Sequence, residues 1–220
     1  MGKINLLITN AAKSFTNEET TMFQNAAKAA ETYLTENFEF DYAVDIVITP
    51  PSYLMQTIPE DGITGRTYTS RFIIIVINKD EAKINEDIVF ETICHEMSHS
   101  LRWEKVPEYA NTLFQGMILE GLAIALEEKA MADTKKASKQ FFLKTMQETD
   151  DKMIKNIISV LEKDFDNERY DYDTVFYTGN DSLPRWAGYR LGYHFVMKHL
   201  EDTGQTIQAA TLASYNKFKS

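Results

Sequence analysis

Cysteine is almost missing: Cys94 stands alone in 220 residues, so the chain cannot close a disulfide on itself. Long hydrophobic runs are missing too. The longest, Phe72 to Ile77, falls far short of the roughly 20 apolar residues that cross a bilayer, so no membrane span is expected. The opening residues carry one short apolar piece, interrupted by Asn5, with no small-residue cleavage site behind it. That is not a secretory signal, and a cytoplasmic protein is expected, or a secreted one only if a leader has been removed. Positive charge is scarce, with 23 Lys and Arg against 33 Asp and Glu for a net charge of −10. No basic stripe can track phosphates, and Lys135, Lys136 and Lys139 read as a solvated helix face, so nucleic-acid partners are excluded. Nine Gly and five Pro rule out a collagen-like or linker-rich chain, and no repeat appears. One domain over 1–220 is the expectation. A chain of this length builds its core without disulfides or a structural metal, so any metal it binds serves function.

What is present reads as alternating strands and helices followed by helices. Ile4 to Thr9 fits a short strand, and Thr16 with Glu19 forms a capping box for a helix to about Phe38. Tyr42 to Thr49 fits a second strand ended by Pro50 and Pro51. Gly62 to Ser70 reads as a loop or weak hairpin, and Arg71 to Asn78 as a strand apolar enough to be buried on both faces. Asn85 then caps a helix to about Trp103, stopped by Pro107. Further helices fit 111 to 132, 137 to 165, 184 to 201 with Pro184 in the first turn, and 206 to 217. The fold class is therefore α+β, a small sheet packed on several helices.

The chemistry gathers on the helix after Asn85. His95-Glu96-Met97-Ser98-His99 is a His-Glu-x-x-His motif, and positions four apart share a helix face, so both imidazoles reach one metal ion. Glu96 flanks that site without being a ligand, where a general base belongs. A catalytic zinc usually takes three protein ligands. A metzincin would place a Gly and a third His after His99, but Arg102 and Lys105 occupy those positions. The other common solution is a Glu on a following helix. Glu120 fits, 21 positions after His99 and flanked one turn away by Gly116, Met117, Ala123 and Ile124, since a carboxylate in an apolar stripe needs a metal or a cation such as Arg102. Glu127 and Glu128 rank behind it because they sit near the helix end, within reach of water.

These residues carry a resemblance. His95-Glu96-x-x-His99, then Glu120-Gly121-Leu122-Ala123, then Gly188-Tyr189-x-x-Gly192-Tyr193, together with the glycine-containing stretch Gly62 to Tyr68, are similar to a bacterial family of predicted zinc-dependent proteases of gluzincin type. The likeness runs from about residue 60 to 200. It implies a zincin-like fold, one Zn2+ per chain on His95, His99 and Glu120, and peptide or protein substrates. Many gluzincins place an Asp four residues after the ligand Glu to orient a histidine; here that position is Ile124, so the support must come from elsewhere.

The resemblance implies a zinc-dependent peptidase in which Glu96 takes a proton from the attacking water. The oxyanion needs a further donor. Tyr189 is the choice by resemblance and residue chemistry, with Tyr193 on the same face as runner-up and aromatic packing beside Trp186 and Phe195 as the competing role. Zincin-like peptidases lay substrate along a sheet edge. The region is Gly65 to Ile77, the edge being either Thr67 to Ser70 or Phe72 to Ile77. Two alternatives stay open, a zinc hydrolase of a non-peptide amide or ester and a non-catalytic zinc-binding module. Cys94 reads as a small buried side chain, His194 and His199 as core-edge or surface histidines, and the acidic stretch from Asp164 to Asp173 as a solvated loop, since it lacks the Gly and Glu of a calcium site.

Overall fold

The computed structural model describes residues 2–51, 55–106 and 108–219. Their elements run β1 (Lys3–Ile8), α1 (Asn17–Asn37), β2 (Ala43–Thr49), β3 (Ile63–Thr69), β4 (Phe72–Ile77), α2 (Glu86–Lys105), α3 (Leu113–Asp133), α4 (Phe141–Gln147), α5 (Asp151–Leu161), α6 (Ala187–Thr203) and α7 (Ile207–Thr211), an α+β chain. They group into two compact units: the residues up to Val106 with Leu126–Lys144, and Pro107–Ala125 with Thr145–Ser220.

In the first unit the sheet order is β1-β2-β4-β3, with β1, β2 and β4 parallel and β3 antiparallel at the end. Side chains alternate across a strand, and Ile4, Val44, Ile46, Ile48, Ile73, Ile75 and Ile77 all point into the core. Each such residue contributes about 1.5–3 kcal/mol by leaving water. Helices α1 and α2 pack on each other and on the sheet. The opposite sheet face is more open: Leu7 is 51% exposed and Phe72 38%. The strand expected to be buried on both faces is thus covered fully on one. Gly62 to Ser70, expected as a loop or weak hairpin, supplies the full strand β3, because β4 has a second edge of backbone donors and acceptors to satisfy.

Both caps read from sequence are in place. Thr16 Oγ1 accepts from Glu19 N at 3.1 Å while Glu19 Oε2 accepts from Thr16 N at 2.7 Å. Asn85 Oδ1 accepts from Ile88 N at 3.0 Å. Helix α2 ends at Lys105; Pro107, expected to stop it, lies outside the described residues. This helix is buried almost all round, and Glu91, Thr92, Glu96, Ser98, His99, Ser100 and Arg102 lie inside with its apolar side chains. Buried polar groups must be partnered, so the placement of these residues is the key to the unit.

In the second unit, α3 and α6 meet backbone to backbone. A Cβ on Gly121 would lie 2.2 Å from the Gly192 carbonyl oxygen, and one on Gly192 would lie 1.9 Å from that of Met117. Neither backbone can step aside without parting the helices. Gly192→Ala is expected to cost about 3 kcal/mol or more, lowering the melting temperature by about 6–12 °C in a thermal unfolding scan.

Three helix limits differ from expectation in this unit. α6 begins at Ala187, after a turn in which the buried Trp186 adopts φ +63°, so Pro184 precedes the helix instead of opening it. The segment from 137 to 165 is interrupted where Asp150 caps α5 by accepting from Met153 N at 2.7 Å. The last helix stops at Thr211, because the chain turns to let Ser214 Oγ and Tyr215 N donate to Glu108 at 3.0 and 3.2 Å.

Candidate metal centre

His95 and His99 stand one turn apart on α2 with ring centroids 5.3 Å apart. His99 is buried and stacks on Trp103 at 5.9 Å, while the His95 ring meets Phe142 edge-on at 6.3 Å. Packing on both rings removes rotamer freedom that a ligand would otherwise lose on binding.

Glu96, between them, is 5% exposed and faces β3. Thr67 Oγ1 lies 2.7 Å from Glu96 Oε2 and 2.9 Å from the Glu96 carbonyl oxygen, so its one proton is shared between the two acceptors. A Cβ on Gly65 would fall 2.4 Å from Glu96 Cγ. β3 therefore touches the carboxylate directly, and only glycine leaves it room. The contact of Thr67 with Glu96 is not legible in the sequence, because nothing in a Thr-rich stretch signals which hydroxyl meets a helix.

His95 Nδ1 lies 2.9 Å from Glu127 Oε2, which as a carboxylate oxygen can only accept. That acceptor places the ring proton on Nδ1 and leaves Nε2 as the lone-pair nitrogen, the usual arrangement of a metal-binding histidine. Glu127 corrects the sequence reading, which set it near water at a helix end: it is 1% exposed, buried where it meets His95 of α2. Burial raises its carboxyl above the ordinary range, and the nearby His95 offsets this only in part. Glu91, one turn before His95, is fully buried and accepts from Ser138 Oγ at 2.5 Å. Burial first, and then the charge of Glu127, push the Glu91 carboxyl up to about 9, so it carries a proton at neutral pH.

Glu120 stands on α3 seven residues before Glu127, two helical turns up the same face, and is half-buried. His95 and His99 on α2 and Glu120 on α3 are the residues that could hold a metal ion. Two imidazoles and a carboxylate are the donors of a zinc centre. Cys94, beside His95, is a buried free cysteine whose thiol burial pushes well above the ordinary range.

Tyr189 lies in an aromatic cluster of the second unit, edge-on to Phe176 at 5.3 Å and 6.5 Å from Tyr177, and Tyr193 is half-buried one turn on. Two tyrosines that the sequence did not single out, Tyr170 and Tyr172, feel the charge of Glu120. The hydroxyls of Tyr170 and Tyr172 are held neutral by burial and, next, by the charge of Glu120. Tyr172 stacks on Phe176 with ring centroids 4.7 Å apart, and the Tyr170 hydroxyl sits 3.0 Å from where a Cβ on Gly116 would be. His199 bonds Gln205 at 2.9 Å and packs on Phe218, a core-edge role.

An α+β chain with a helix-borne His-Glu-x-x-His set and a carboxylate on the next helix defines a protein with a candidate zinc centre. The chain belongs to the family described as predicted Zn-dependent protease (DUF2268), whose model matches residues 4–220. No curated protein and no solved structure matches it. Among the described residues no helix is long and apolar enough to cross a membrane.

Proposed function

We propose that this protein is a zinc-dependent peptidase with a zincin-like catalytic domain over 1–220. His95, His99 and Glu120 hold one Zn2+, and Glu96 is the general base. Bound there, zinc supplies the Lewis acidity that makes water nucleophilic near neutral pH. Glu96 accepts a proton from the attacking water and returns it to the leaving amine. The Tyr189 hydroxyl donates to the oxygen on which charge develops. An extended peptide adds to β3, the strand that ends the sheet and touches Glu96, which makes Thr67 to Ser70 the edge in use. A reducing, cytoplasmic setting fits the buried free thiol of Cys94.

The observation that carries this reading is the pair of histidines one turn apart on α2 with, between them, a carboxylate that Thr67 holds on β3. A purely structural zinc site has no use for such a base and prefers a fourth protein ligand. The test is hydrolysis by zinc-loaded protein of a panel of quenched peptides, set against small amide and ester substrates. Chelator-sensitive cleavage of peptides is expected. Cleavage of the small substrates alone, or of none, would overturn the peptidase reading.

Gly65→Ala provides a finer check. The added methyl drives Glu96 off Thr67, and a misplacement of about 1 Å lowers the rate about 10²-fold. Zinc content and the circular dichroism spectrum are expected to stay at wild-type values.

A further inference from the structure

We propose that Glu127 is the positioning residue of the metal centre, holding His95 by its Nδ1 proton so that Nε2 faces the ion. This rests on the reading of His95 as a metal ligand. Seven residues at about 100° each bring Glu127 back to within about 20° of Glu120, so one face of α3 presents both a ligand and the acceptor that orients another ligand.

The burial of Glu127 argues that a cation belongs opposite it. One oxygen bonds His95, and the other, Oε1, is buried with no hydrogen-bond partner among the described residues. Such a carboxylate costs several kcal/mol unless positive charge compensates it. Lys136 is engaged with Asp87 and Glu86. A divalent ion on the far side of the His95 ring supplies the compensation through the ring, which polarises towards Glu127 and becomes a better donor of its Nε2 lone pair.

The experiment compares wild type, Glu127→Gln and Glu127→Ala by zinc affinity, measured in competition with a chromophoric chelator, and by thermal unfolding of the metal-free proteins. The Ala variant is expected to bind zinc about 10–100-fold more weakly, and the Gln variant, which keeps an acceptor without the charge, to fall between. Without metal, the Gln variant is expected to melt at or above the wild-type temperature, because the uncompensated buried charge is gone. Equal zinc affinity in the three proteins, or a lower metal-free melting temperature with affinity intact, would show Glu127 to be a core group only. Failure of wild type to take up zinc would instead overturn the metal reading itself, a separate result.

Discussion

Replacing Glu96 with Gln is expected to lower peptide hydrolysis by about 10²–10⁴-fold, the contribution of a positioned general base, while bound zinc stays at the wild-type level. The substitution is close to isosteric, so its amide oxygen still accepts from Thr67 and still fits against Gly65. Only the capacity to take a proton is lost. The two measurements are steady-state cleavage of the best peptide found in the panel and elemental analysis of the same sample. Unchanged cleavage would remove Glu96 from the mechanism, whatever the zinc content.

His99→Ala carries the second large effect, on the metal. Wild-type protein purified without chelators is expected to hold about one zinc per chain, and the variant essentially none, because two remaining donors do not make a closed three-ligand site. His99 is buried against Trp103, so its removal also leaves a small cavity, and metal-free melting temperatures are needed to separate the two losses. Zinc retained by a folded His99→Ala variant would mean that the ligands lie elsewhere.

Of the centre, the parts legible in the sequence are those that a single helix decides. His95, Glu96 and His99 take their relative placement from the helical repeat, and Asn85 announces where that helix starts. Glu120 was legible as a polar residue in an apolar stripe, and Gly121 beside it lies against the Gly192 carbonyl. The prolines and glycines spoke less clearly. Pro184 permits a helix start without requiring one, and the turn that follows it is decided by the burial of Trp186.

Thus the sequence by itself determined the motif, its helix, the α+β class and the caps, because each depends on residues a few positions apart whose geometry the backbone repeat imposes. Only the tertiary structure decided that Gly62 to Ser70 yields the terminal strand, that Thr67 meets Glu96 across 29 residues, and that Glu127 meets His95 across 32. Those partners are selected by how strand and helices pack against α2. The energy of a buried hydrogen bond depends on what else excludes water around it, and spacing along the chain carries no record of that.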